Sequence, residues 1–278
     1  MLSKPQGRPQ LEKWSAYLLL WMVTFVFISP ATWLDGFVPG WHERLLAISE
    51  LPFVPTPIDI TTKYGPHPAV KLTHTLPSGV WALCAASQLT PSLRTSRPTL
   101  HRWAGRVMLL GSAPLMTAGY VLMERRGLVT AFQFDGTEQL DEAGERVKVP
   151  PSPSGLLVLR LLMVWFMWTA LAAVAAARSR RYDKHATWAV RHIASGIWVV
   201  VQRLLLSIVA MAAAAAGVTW SVKARHDLFA AAATVSIVSS LVAGEVYVRT
   251  ARSYLRKPGV EGQGGAVAGA VEGKGKAE

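Results

Sequence analysis

The sequence predicts an all-α integral membrane protein: a helical bundle of six transmembrane helices with a four-helix core. Three observations carry this. Apolar runs of about twenty residues recur along the chain, the length a helix needs to cross a hydrocarbon core. The composition is 51% hydrophobic and only 17% charged, with 11 Trp, a residue that favours membrane interfaces. Segments rich in Lys and Arg alternate strictly with acidic or balanced ones, as the positive-inside rule requires of an even number of spans. Both termini are therefore expected on the cytoplasmic side of a multi-pass protein.

The elements follow in order. Residues 1–13 form a basic tail (Lys4, Arg8, Lys13). The first span is expected over 14–34. It is long for the apolar region of a signal peptide and lacks a clean small-residue cleavage site. An outer loop over 35–68 is rich in proline and aromatics, which rules out a span there but leaves room for a short surface helix at HERLLAISEL. A four-helix membrane core is expected over 69–217, with helices at 69–89, 104–123, 155–177 and 190–217. Within the first of these, Pro77 and Gly79 invite a kink, and Ser78, Ala82 and Ala86 form a stripe of small residues. Pro114 and Gly119 lie inside the second.

Between the second and third core helices, residues 124–154 carry six acids against four bases. Asp135-Gly136 gives a turn signal that fits a small hairpin or a mobile loop; no strand pattern stands out elsewhere. The sixth span is expected over 226–250, with Glu245 inside it and four residues before Arg249, the spacing of a local ion pair. The glycine-rich tail over 251–278 is expected to be disordered.

The net charge of +12 would suggest nucleic acid in a soluble protein. Here the bases gather in alternate loops, so topology accounts for them and no nucleic-acid partner is expected; the partner is the lipid bilayer. The single cysteine, Cys84, sits in an apolar run and excludes an internal disulfide. No phosphate-binding glycine loop, zinc-protease motif or serine-histidine-acid grouping is present.

Chemistry is concentrated in histidine and arginine. His185, Trp188, His192, Ser195, Val199 and Arg203 recur at three- and four-residue steps, which places them on one face of a continuous helix. On that helix Arg203 would lie about 27 Å beyond His185, near the midplane or in the outer half. His42, His67 and His226 fall in outer segments. His74 is near the outer surface; His101, His185 and His192 are near the inner one.

From His74 to about Arg203 the chain resembles a family of predicted membrane proteins catalogued as domain of unknown function 2306. The resemblance rests on His74 in THTLPSGVWAL, on Leu100-His101-Arg102-Trp103 followed by Gly105-Arg106, on the His185, Trp188, Arg191 element, and on Arg203 deep in the last helix. It implies a four-helix membrane core and no activity. His192 and the long acidic 124–154 loop depart from its pattern. The arrangement also resembles the small four-helix membrane cytochromes of the b561 kind, which implies haem b held by histidines from facing helices.

Two readings of the histidines stand. In one, His74, His101, His185 and His192 bind a cofactor. His185 and His192, about 10 Å apart on one helix, cannot take both sides of one iron, so an inner haem would pair His101 with His185 or His192. In the other, they bind lipid headgroups, cap helices or hold helices together. Arg102, Arg191, Gln202 and Arg203 are the groups expected to line polar pockets, with His74, Gln202 and Arg203 forming one in the outer half. Such a pocket suits a quinone carbonyl, a haem propionate or a small anionic solute. The expected function is a haem-binding or quinone-interacting redox protein. The alternatives are a transporter or channel for a small anion, or a membrane accessory or scaffold subunit.

Overall fold

The computed structural model describes residues 38–58, 60, 67–129, 138–140, 146–148 and 153–255. The predicted first span at 14–34 and all of the glycine-rich tail after residue 255 lie outside the described residues. Helix dominates what is described.

Helix α1, Trp41–Glu50, is the surface helix expected in the outer loop. Helix α2 runs over 68–89 and contains a π-helical segment, Lys71–Thr75. Helix α3, Pro91–Ser96, is short and lies in the basic turn. Helix α4, Pro98–Arg125, likewise contains a π-helical segment, Val107–Ser112. Both π segments end two residues before a proline, Pro77 and Pro114. A proline offers no N–H to the carbonyl one turn back, so the upstream ladder is released and relaxes into the wider turn. The position where Pro77 was expected to invite a kink thus carries a π-helical segment just upstream.

Strands β1, Glu138–Leu140, and β2, Arg146–Lys148, pair antiparallel with Gln139 opposite Val147. The acidic loop thus contains a small antiparallel strand pair; the turn signal at Asp135-Gly136 lies outside the described residues. Helix α5, Pro153–Arg178, and helix α6, Tyr182–Gly196, form a tight antiparallel pair. Their turn is closed by Arg180 at φ 55°, with Arg181 N–H donating to the Ala176 carbonyl at 2.9 Å. This is the Schellman arrangement, which glycine normally serves. Helix α7, Trp198–Ala216, ends on Gly217 at φ 65° in the same way. Helix α8, Val222–Leu255, packs on α6 and α7 and runs into the segment expected to be tail.

The predicted helix at 190–217 is therefore two helices, interrupted at Ile197. At the neighbouring Gly196 a Cβ would lie 2.6 Å from the Trp81 ring. Ile197 keeps a right-handed helical conformation, its N–H donates to the Ile193 carbonyl at 2.9 Å and its carbonyl accepts from the Val201 N–H at 3.1 Å, so the interruption spans a single residue. Helix α7 packs on α8.

Four described helices are long and apolar enough to cross a membrane: Pro98–Arg125, Leu156–Arg178, Trp198–Ala216 and Val222–Thr250. The protein is accordingly read as an integral membrane protein. Helix α2 has the length of a span, but Lys71, His74 and Gln88 make it less apolar.

Two apolar layers hold α2, α4, α5 and α6 together. One gathers Trp81, Ala85, Met108, Ala113, Phe166, Ala170 and Ile193. The other gathers Val70, Tyr120, Met123 and Leu159, with Trp198 against them. Between α2 and α4 the backbones nearly touch: a Cβ on Gly119 would lie 2.7 Å from the Thr73 carbonyl. Outside these layers, the buried guanidinium of Arg225 on α8 donates to the carbonyls of Ser49 and Leu51 at 2.6 and 3.1 Å. A cation at a helix C-terminus satisfies its last carbonyls and opposes its dipole. Trp220 adds bonds to Pro52 and Phe53, so α1 is tied to the α7–α8 turn.

Candidate functional site

The predicted histidines occupy four different settings. His192, on α6, is fully buried. The indole Nε1–H of Trp81 donates to its Nε2 at 2.9 Å, and its Nδ1 lies 3.1 Å from the Phe166 carbonyl. An indole nitrogen can only donate and a carbonyl can only accept, so the proton sits on Nδ1 and the Nε2 lone pair is taken. Thr169 Oγ1 lies 3.4 Å from Nδ1, and the Phe166 ring is 4.3 Å from the imidazole, centroid to centroid. His192 is a joint between α2, α5 and α6, with neither ring nitrogen available to a metal.

His185, one further pair of turns toward the inner end of α6, places Nδ1 2.9 Å from the Ala173 carbonyl. The same logic puts its proton on Nδ1 and leaves Nε2 a lone pair. His192 reads Phe166 and His185 reads Ala173, so both pairs are seven residues apart and the histidines set the register of α5 against α6.

His101 lies on the first turn of α4. Its backbone carbonyl accepts from Gln88 Nε2 at 2.8 Å, while its ring Nδ1 is buried with no partner. The first turn of α4 and the start of α6 lie at the same end of the bundle, opposite the end where Glu124 of α4 pairs with Arg160 of α5, so His101 and His185 belong to one end. His74 is at the other end, in the π segment of α2, with Nδ1 3.2 Å from the Met116 carbonyl of α4. That bond and the Gly119 contact pin the two helices together.

The arginines separate as well. Arg191 makes a two-pronged pair with Glu245 of α8, Nε to Oε2 and Nη2 to Oε1 at 3.0 Å each, and its guanidinium covers the Trp188 ring. Glu245 also receives Arg249 Nε at 3.2 Å, the local pair that its spacing suggested. Arg102 is exposed. Gln202 is buried and donates to the Phe229 carbonyl at 3.0 Å; the Arg203 guanidinium lies 4.9 Å from the centre of the Phe229 ring. Of the expected outer pocket, His74 bonds to α4, and Gln202 and Arg203 meet Phe229 of α8.

Among the described residues, no group of three or more His, Cys, Asp or Glu side chains is disposed to hold a metal ion. A two-imidazole arrangement is what His101 and His185 offer. Trp81, Phe166 and Ala173, which determine what the histidines do, escaped the sequence reading, and Glu245 was read only as the partner of Arg249, not of Arg191. An aromatic on a neighbouring helix at the depth of His192 was the available signal for Trp81; a backbone carbonyl gives none.

No protein-family model, no curated protein and no solved structure matches this chain. The functional reading therefore rests on the residues themselves.

Proposed function

We propose that this chain is a multi-pass redox protein that holds haem b between His101 and His185, at the cytoplasmic side of a six-helix bundle, and exchanges electrons with a small partner such as a quinone. The observation that carries this is the orientation of His185. Its Nδ1–H is committed to the Ala173 carbonyl. That second bond fixes the tautomer and aims Nε2, as it does in ligating histidines generally. His101 supports the pairing, because a buried ring nitrogen without a partner costs about 1–3 kcal/mol unless something bonds to it. The exposed Arg102 belongs to the same end and suits a propionate. When bound, the haem would supply one-electron chemistry; the chain supplies the two imidazoles and the apolar layer beneath them.

The test is haem content. Full-length protein produced with added haem should retain about one haem per chain, and His101→Ala or His185→Ala should abolish it. Haem-free wild-type protein would end this reading. Topology is tested separately: reporters fused within 124–154 should behave as extracytoplasmic, and a cytoplasmic signal there would contradict the six-span arrangement.

Transport of a small anion is the second reading, favoured by the interruption at Ile197. Broken spans place backbone polar groups inside a membrane protein, where solutes are bound. Across from this region α8 carries Ser236 and Ser240, both buried with hydroxyls that have no hydrogen-bond partner. Uptake into proteoliposomes that disappears in Arg203→Ala would favour this reading over the first.

A further inference from the structure

We propose that the inner end of the bundle is a binding surface for an anionic phospholipid, whose headgroup bridges the two basic turns and whose acyl chain lies along α4. The inference rests on the membrane reading and is independent of haem.

The charge is the first observation. Arg97, Arg102 and Arg106 come from one turn and Arg178, Arg180 and Arg181 from the other, and all but Arg178 and Arg180 flank the histidine pair in sequence. All six are exposed, and none makes an ion pair among the described residues. No acid occurs over 90–106, and Asp183 is the one acid over 178–184. Glu124 near the far end of α4 pairs with Arg160 near the start of α5, and α5 and α6 run antiparallel, so the two turns share one end of the bundle. Six exposed guanidiniums without ion-pair partners among the described residues call for anions from outside.

The second observation decides which anion. Interleaved with the arginines of α4 and continuing past them runs an apolar strip: Leu100, Trp103, Val107 and Leu110 are 51%, 59%, 40% and 50% exposed, at helical steps of three, four and three. The Arg106 guanidinium sits 5.1 Å over the Trp103 ring, within this mixed stretch. A tryptophan in such a stretch marks an interface between hydrocarbon and headgroup. Inorganic phosphate would use the arginines but not the strip, and nucleic acid would be repelled by it. A phospholipid with a net negative headgroup uses both, and basic clusters beside membrane spans draw such lipids by about 1 kcal/mol per residue.

The test is native mass spectrometry of the full chain released from nanodiscs containing equal amounts of phosphatidylcholine and phosphatidylglycerol. The retained lipid should be phosphatidylglycerol by about tenfold or more. Arg97→Gln with Arg106→Gln, and separately Arg178→Gln with Arg181→Gln, should each bring the ratio toward one. Arg125→Gln, an exposed arginine at the opposite end of α4, should leave it unchanged. Equal retention of the two lipids, a preference that survives both double variants, or loss of the bound lipid on adding millimolar inorganic phosphate would overturn the proposal.

Discussion

The indole Nε1–H of Trp81 donates to Nε2 of His192 across 2.9 Å, joining α2 to α6 through the middle of the bundle. This bond converts a residue that looks like a ligand into a structural joint. Trp81→Phe removes the donor and leaves a buried imidazole nitrogen unpaired, at a cost of about 1–3 kcal/mol from that bond alone. Thermal unfolding of the detergent-solubilised protein should show a clearly lowered midpoint. An unchanged midpoint would mean that the bond is not holding the helices.

Close backbone approach makes a second prediction. Gly119 faces the Thr73 carbonyl and Gly196 faces the Trp81 ring, each at distances no Cβ tolerates. Gly119→Ala opposes fixed backbone and should cost about 1–3 kcal/mol. Gly196→Ala must displace two rings and should cost at least as much. Gly111→Ala has nothing within 4 Å to meet and should raise helix stability slightly, which provides the internal control. The same thermal assay ranks all three.

Helix ends give the opposite sign. Arg180 holds a left-handed conformation at φ 55° that a side chain disfavours. Arg180→Gly should therefore stabilise the α5–α6 hairpin by about 0.5–1 kcal/mol. A lower midpoint in this variant would show that the arginine side chain contributes more than its backbone conformation costs.

Arg225 predicts a local effect. It satisfies the Ser49 and Leu51 carbonyls at the end of α1, and bonds to a charged donor are worth about 1.5–3 kcal/mol. Arg225→Gln should expose the 41–53 segment to limited proteolysis while leaving the unfolding midpoint of the membrane helices nearly unchanged. Cleavage rates equal to those of the native chain would contradict the role.

Much of the helical framework is legible in the sequence because apolar runs and basic turns follow from lipid alone. The π-helical segments before Pro77 and Pro114 have an equally local cause, a missing N–H. The single-residue interruption at Ile197 was not legible, because local periodicity carries a helix straight through that position. The candidate site divides along the same line. That His101 and His185 share one end follows from depth, which the turns disclose. The fates of His192 and Arg191 depend on Trp81, Phe166 and Glu245, and only tertiary packing brings those partners in. Arg203 was read as an extension of the His185 face; its guanidinium lies against the Phe229 ring of α8, a partner that local spacing does not disclose.

The most direct measurement is the reduced-minus-oxidised visible spectrum of full-length protein supplied with haem, compared across His185→Ala and His192→Gln. The account predicts the sharp bands of a six-coordinate, two-histidine haem in the wild type, absent in His185→Ala and present in folded His192→Gln. A flat wild-type spectrum, or bands that survive His185→Ala and vanish in His192→Gln, would contradict it.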